Sequence, residues 1–87
     1  MISTVNYSSF FKRQYKQLTD QQKADFKRAI QLFTENPFHS KLKAHKLKGK
    51  WEGYWAFSIN YSHRVLFKFS VKDTVDLINI GDHSIYR

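Results

Sequence analysis

Residues 51–80 read WEGYWAFSINYSHRVLFKFSVKDTVDLINI, a segment whose pattern predicts the architecture of the domain. From Trp51 onward, large apolar residues recur at every second position, which is the period of a β-strand with one buried face. Polar pairs at 61–62 and 72–73 interrupt the pattern and are typical of short turns. Short turns join consecutive strands into an antiparallel meander. The strands are predicted at 51–60, 63–70 and 74–80.

Two amphipathic helices are predicted before this meander. The first follows a serine at position 8 or 9, which can cap its N-terminus. Its apolar face consists of Phe11, Tyr15 and Leu18. The second helix begins at Thr19, which stands at capping-box spacing from Gln22. It ends near Asn36, because Pro37 disfavours helical geometry in the residue before it.

Together these elements predict one domain, residues 1–87, of the α+β class. A short strand at residues 2–7 precedes the helices, so the predicted order is β-α-α-β-β-β. The αα-hairpin packs on one face of a mostly antiparallel sheet, and the other face stays partly open. Residues 37–50 form an extended basic loop, Gly81 breaks the last strand, and residues 82–87 form a short polar tail.

The composition excludes several classes of protein. Aromatic residues make up 17% of the chain, which is enough to build a core at this length. There is no apolar run of about 20 residues for a membrane span, and the N-terminus lacks signal-peptide features, so we expect a cytoplasmic protein that does not bind membranes. The chain has no cysteine, and its four histidines match no standard ligand spacing, so we expect neither a metal nor another cofactor.

The charge of the chain predicts an anionic partner. Fifteen Lys and Arg residues stand against seven Asp and Glu residues, for a formal net charge of +8. Residues 36–51 contain five lysines, two histidines and no acid. Such a surface gains energy by displacing counterions from nucleic-acid phosphates, and an acidic protein would serve as well.

Three clusters of side chains could converge on the open face: one around His45, one at His63 and Arg64, and one from His83 to Arg87. The start of one strand in a meander lies beside the end of the next, so Arg64 and His83 fall at the same end of the sheet. The planar fork of arginine can bind two oxygens of the pentavalent phosphate in a transition state, and histidine transfers protons near neutral pH. The mixture fits metal-free RNA cleavage, in which the RNA 2′-OH is the nucleophile. The alternative is that Arg64 is a surface ion-pair partner and His83 a turn cap.

Three segments resemble the RelE/ParE toxin superfamily, nearest to its YafQ-like and HigB-like branches. Residues 45–54, HKLKGKWEGY, resemble its H-x-L-x-G-x-(W/Y)-x-G segment. Residues 64–67, RVLF, and residues 78–86, INIGDHSIY, resemble one strand and the C-terminal ending of that superfamily. The chain departs from the YafQ pattern at Ser58, where a second histidine is usual, and at Ser62, where an acid is usual.

The resemblance implies the toxin of a type II toxin–antitoxin system: a metal-independent endoribonuclease that cleaves mRNA on the translating ribosome. Its partners would be mRNA, the ribosome and an acidic cognate antitoxin. The implied catalytic residues are His45, Arg64, His83 and Tyr86. In this assignment Arg64 stabilises the phosphate and His83 is the general acid or base, although the base could also be His45 or a lysine. The implied RNA-binding residues are Lys43, Lys46, Lys48, Lys50 and Arg87.

Two other functions are compatible with the sequence. One is a non-catalytic inhibitor of DNA gyrase, as in the ParE branch. That branch usually lacks the C-terminal histidine, so His83 favours the nuclease. The other is a passive RNA-binding module, against which the absence of RNP-type aromatic motifs counts.

Overall fold

A computed structural model describes residues 1–86, apart from the side chains of His83 and Tyr86. The helices and strands, in chain order, are β1 (Thr4–Tyr7), α1 (Ser9–Lys16), α2 (Asp20–Glu35), β2 (His45–Lys46), β3 (Trp55–Ser58), β4 (Arg64–Phe69) and β5 (Thr74–Gly81). Short 3-10 helices lie at Ser40–Leu42, Gly49–Trp51 and His83–Tyr86. The predicted α+β class and the order of the main elements are confirmed. No helix in this part of the chain has both the length and the hydropathy to cross a membrane.

The strands form one mixed sheet in the order β1-β5-β4-β3-β2. The neighbours β2–β3, β3–β4 and β4–β5 pair antiparallel, as a meander requires. The exception is β1, which runs parallel to β5. The last strand therefore lies inside the sheet, between the first strand and β4.

The core lies between the two helices and one face of the sheet. Phe33 of α2 is fully buried, with its ring centre 4.6 Å from that of Phe57 and 4.9 Å from that of Phe67. The other buried members of this cluster are Phe11, Phe26, Ala29, Leu42, Val65, Val75, Leu77 and Ile80. Burying one such side chain contributes about 1.5–3 kcal/mol, so aromatic packing dominates the stability of this small domain.

Both predicted helix N-termini are confirmed. The Ser8 hydroxyl accepts a hydrogen bond from the Phe11 amide at 2.9 Å and donates one to the Ile78 carbonyl at 2.7 Å. The cap therefore also ties α1 to β5. At α2, the Thr19 hydroxyl accepts from the Gln22 amide at 3.1 Å, and the Gln22 side-chain oxygen accepts from the Thr19 amide at 2.9 Å. Each cap satisfies backbone donors that the first helical turn leaves free.

The prediction that β3 begins at Trp51 is wrong. Gly49 and Gly53 have φ angles of +66° and +93°, which fold residues 49–53 into a 3-10 helix and a turn. The extended strand consequently starts only at Trp55. The predicted loop at 37–50 contains a 3-10 helix and the short strand β2. The prediction that Gly81 breaks the last strand is also wrong, since β5 includes Gly81 and the residues after it form a 3-10 helix.

Candidate active site

The sheet face turned away from α2, which we call the open face, carries the polar side chains of the site. Arg64 stands opposite Ser58 on β3 and opposite Gly81 on β5. His45 stands opposite Ala56, which lies two residues before Ser58 on the same strand. Directly opposed residues, and residues two apart on a strand, project to the same side of a sheet. His45, Ser58 and Arg64 therefore share the open face.

A groove of about 490 Å³, which we call the cationic groove, lies where β3 turns into β4. Its described lining contains three cations and no acid. The lining residues are Lys41, Lys43, Ser58, Ile59, Asn60, Tyr61 and Arg64. A concave site with one sign of charge concentrates anions such as RNA phosphates.

The Arg64 guanidinium is held in place by the turn beside it. Its Nη1 lies 3.2 Å from the Asn60 carbonyl oxygen, 3.2 Å from that of Tyr61 and 3.1 Å from that of His63. All three bonds start at one nitrogen, so they do not use the N–H groups on Nε and Nη2. Those groups form the planar edge with which arginine meets two oxygens of a phosphate.

His45 lies exposed on the edge strand β2. Its Nδ1 is 3.1 Å from the Lys43 carbonyl oxygen. Since a carbonyl can only accept, Nδ1 carries the hydrogen and donates it, and the neutral ring then has its lone pair on Nε2. Lys43 has a φ of +52°, which bends the chain just before the strand. This arrangement leaves Nε2 able to take a proton from a bound molecule.

The other predicted RNA-binding lysines lie away from the cationic groove. The Lys46 ammonium is 5.6 Å from the ring centre of Trp55, its cross-strand partner, and thus on the opposite side of the sheet from His45. The Lys50 ammonium is 6.0 Å from the ring centre of Trp51. Lys48 is exposed just before the 3-10 helix Gly49–Trp51. The structure thus brings only one loop lysine of the predicted set into the groove, at position 43.

Three predicted site residues fall outside what the structure describes: Arg87 altogether, and the side chains of His83 and Tyr86. The backbone of the 3-10 helix His83–Tyr86 packs against β4 and β5, beside the strand pair Arg64–Gly81. Among the side chains that are described, no three histidines or carboxylates are close enough to hold a metal ion.

Gly81 permits the close approach of this C-terminal 3-10 helix. A Cβ at position 81 would lie 2.6 Å from the Cγ2 of Ile85. We expect Gly81→Ala to lower the free energy of unfolding by about 1–3 kcal/mol, measured by urea denaturation, because the helix must shift. In an Ile85→Ala background, where the methyl group is absent, Gly81→Ala should lower the free energy of unfolding by less. Equal losses from Gly81→Ala in both backgrounds would contradict the predicted clash.

Two cations on the groove or the open face, Lys41 and Lys68, are not among the predicted site residues. Lys41 lines the cationic groove because the 3-10 helix Ser40–Leu42 turns it there. Lys68 lies four residues after Arg64 on β4 and on the same face of the strand. Its ammonium is 5.8 Å from the ring centre of Tyr54. The alternation along β4 predicts that Lys68 shares the face of Arg64, although Lys68 is not among the predicted site residues. Nothing in the sequence around Lys41 distinguishes it from the other loop lysines.

A second groove, which we call the helix groove, lies between α1 and α2. It measures about 510 Å³, with an apolar floor and a rim of lysines. The residues that line it are Tyr7, Phe11, Lys12, Tyr15, Lys16, Phe26, Lys27 and Ile30. Burial, and then the nearby Tyr15, raises the pKa of Tyr7 above its ordinary value, so its phenol stays neutral. No acid lines this groove among the residues described, so its charge favours an acidic partner.

Residues 3–86 match the family described as the bacterial toxin of type II toxin–antitoxin systems, YafQ. A comparison with curated proteins finds no match.

Solved structures share the fold. The chain is 19% identical to YafQ from E. coli strain BL21(DE3), with a TM-score of 0.79, over 99% of this chain and 98% of that one. It is 24% identical to a YoeB/ParE toxin from Agrobacterium tumefaciens, with a TM-score of 0.78, over 93% and 99%. It is also 19% identical to a chain of the E. coli DinJ-YafQ complex, with a TM-score of 0.67, over 97% and 96%.

Proposed function

Since the chain belongs to the YafQ family of toxins of type II toxin–antitoxin systems, we propose that it is a metal-independent endoribonuclease that cleaves mRNA on the translating ribosome. The observation that carries this proposal is the Arg64 guanidinium, held by three carbonyls beside two lysines in a groove on the open face. The gyrase-inhibitor alternative is not favoured, because the matching family is that of YafQ. We place the protein in the cytoplasm, where its substrate is.

In the proposed reaction the RNA 2′-OH attacks the adjacent phosphorus. A general base takes the 2′ proton, the new O2′–P bond forms, and the P–O5′ bond breaks. A general acid gives its proton to the leaving 5′ oxygen, so the products are a 2′,3′-cyclic phosphate and a 5′-hydroxyl. Arg64 stabilises the extra negative charge on the phosphoryl oxygens in the transition state.

Proton transfer is assigned to two histidines. The Nε2 of His45 is suited to accept a proton, because Nδ1 is engaged with the Lys43 carbonyl. His83, by its match to the family's C-terminal histidine, is the second group, and either could be the base with the other as the acid. Tyr86, by its match to the family's closing aromatic residue, assists the reaction. Lys43 holds the RNA backbone in the cationic groove, and Lys46, Lys48, Lys50 and Arg87 keep their predicted role as further RNA-binding residues.

Controlled expression in bacteria, followed by primer extension on a few abundant mRNAs, tests this proposal. We expect discrete in-frame cuts with the native chain and none with His83→Ala at equal protein level. Lys72→Ala is the matched control, because Lys72 lies at the β4–β5 turn, at the other end of β4 from Arg64. Growth arrest with intact mRNA would contradict the nuclease and support inhibition of gyrase.

RNA affinity should depend on salt through the cations of the cationic groove. If Lys41, Lys43 and Arg64 each neutralise one phosphate, the logarithm of the association constant should fall with a slope of about −2 against the logarithm of salt concentration. Lys43→Ala should reduce that slope by about 0.7, whereas Lys72→Ala should leave it unchanged. Fluorescence anisotropy with a short single-stranded RNA measures both. An unchanged slope in Lys43→Ala would remove this lysine from the proposed RNA contact.

An antitoxin is the partner of toxins of this type, and we propose that an acidic amphipathic segment of it occupies the helix groove. The apolar floor would take the apolar face of the segment, and Lys12, Lys16 and Lys27 would face its acids. The double variant Lys12→Glu/Lys16→Glu should weaken antitoxin binding by about 10-fold or more, as measured by calorimetry, through like-charge repulsion. RNA cleavage by that variant should persist, and Lys72→Glu should bind normally. Native affinity in the double variant would place the antitoxin elsewhere.

A further inference from the structure

Residues 59–63 join β3 to β4, and the side chain of Asn60 organises this turn. Its Oδ1 accepts hydrogen bonds from the backbone amides of Ser62 at 2.9 Å and His63 at 2.8 Å. Its Nδ2 donates to the Oδ2 of Asp25 on α2 at 2.9 Å. One amide group therefore closes the turn and fastens it to a helix 35 residues away in sequence.

Asp25 is a fixed anchor for this amide. Its Oδ1 accepts from the side chain of Gln21 at 3.0 Å and is also bound by the guanidinium of Arg28. The hydrogen bond from Asn60 is the largest cause that lowers the pKa of Asp25, followed by that from Gln21. The carboxylate consequently stays ionised at neutral pH and acts as an acceptor only.

A second tie runs parallel to the first. The side-chain oxygen of Gln22 is engaged by the Thr19 amide in the capping box, so its nitrogen is the group that faces His63, 3.2 Å from Nε2. Because the amide nitrogen can only donate, Nε2 of His63 accepts, and Nδ1 carries the hydrogen. Nδ1 lies 2.9 Å from the Ser62 hydroxyl. The start of α2 thus holds both ends of the turn.

The turn that α2 holds is also the turn that holds Arg64. The three carbonyls around Nη1 belong to Asn60, Tyr61 and His63, so the turn's conformation sets the guanidinium's position. We propose that Asn60 is a positioning residue: by clamping the β3–β4 turn to Asp25, it places Arg64 for the transition state of RNA cleavage. Asn60 acts through Arg64 and does not itself take part in the bond-making step. This inference rests on the proposed nuclease function.

Asn60→Ala tests the inference. A small displacement of a catalytic group can reduce turnover by about 100-fold, so we expect kcat to fall by about 10- to 100-fold while KM stays within about two-fold. The same substitution should have almost no effect in an Arg64→Ala background, since the group that Asn60 positions is already absent. Full additivity of the two losses would overturn the proposal.

Two further variants separate positioning from general stability. Asn36→Ala removes another turn-closing amide, which accepts from the Phe38 amide at 3.0 Å at the far end of α2, and should leave kcat unchanged. Asn60→Asp keeps the acceptor for the turn but sets two carboxylates against each other, so it should reduce kcat. In Asp25→Asn/Asn60→Asp the amide and the carboxylate exchange places, and kcat should recover. If kcat of the double variant is no higher than that of Asn60→Asp alone, the proposed role of the Asn60–Asp25 contact is overturned.

A readout independent of cleavage distinguishes failure of this inference from failure of the nuclease function. The Nε–Hε signal of Arg64 in a ¹H–¹⁵N spectrum reports the guanidinium's surroundings directly. This signal should shift and broaden in Asn60→Ala, and it should return to its native position in Asp25→Asn/Asn60→Asp. If the native chain cleaves no RNA, the nuclease proposal fails. An unmoved Arg64 signal in Asn60→Ala would instead refute the positioning role.

Discussion

Arg64→Ala should lower the rate of RNA cleavage by about 100- to 1,000-fold, the usual cost of removing one preorganised donor to an oxyanion. Three carbonyls hold the arginine in place, so its side chain needs little rearrangement when the charge on the phosphate develops. The loss should appear in kcat more than in RNA affinity, because Lys41 and Lys43 still bind the backbone. Single-turnover kinetics on a short RNA and anisotropy titrations measure the two quantities.

Arg64→Lys is the informative companion to this variant. It keeps the charge but loses the planar fork, and a lysine ammonium cannot bind three carbonyls and two phosphoryl oxygens together. We expect it to recover only part of the loss. Thermal denaturation should show both variants folded, since Arg64 is only half-buried and its carbonyl partners can be hydrated. Native cleavage rates in folded Arg64→Ala would remove this residue from the site.

Phe33→Ala should cost about 3–5 kcal/mol of the free energy of unfolding. The ring is fully buried and lies between Phe57 and Phe67 at the centre of the helix–sheet interface. Domains of this size have a total stability of only about 5–15 kcal/mol, so this one substitution should remove a large fraction of it. Urea denaturation followed by circular dichroism measures the change.

Phe38→Ala is the matched control for this loss. Phe38 is also a phenylalanine in contact with aromatic neighbours, 5.6 Å from the ring centre of Trp55, but it is 57% exposed. Most of its surface already meets water, so truncation should cost about 1 kcal/mol or less. Equal destabilisation by the two substitutions would contradict the placement of the core around Phe33.

Features that depend on near neighbours could be predicted from the sequence. The capping box joins Thr19 to Gln22, three residues apart, and the helix end at Asn36 follows from the next residue. The alternation along β4 and β5 is equally local. By contrast, the parallel pairing of Val5 with Val75 joins residues far apart in sequence, and no local pattern records it. The positive φ of Gly53, because of which β3 starts only at Trp55, is likewise set by the turn that the folded chain requires.

The candidate site was predictable only in part. Alternation along a strand placed Arg64 on the open face, and the lysine run pointed to the neighbourhood of Lys43. The catalytic roles of the predicted residues stay predictions. Asn60 carried no recognisable signal, because a polar residue in a turn is ordinary, and its contact with Asp25 exists only after α2 packs on the sheet. Residues that act through tertiary contacts have no characteristic spacing in the sequence by which they could be identified.

The interior position of β5 has a consequence for the order of events during synthesis. β1 emerges from the ribosome first, but its hydrogen-bonding partner is made about 70 residues later, and closing so long a loop is slow. The strand pair Arg64–Gly81 also waits for β5. A nascent chain that has only reached β4 therefore has no partner for β1 and none for the inner edge of β4. The sheet can therefore close only after the last strand has been translated.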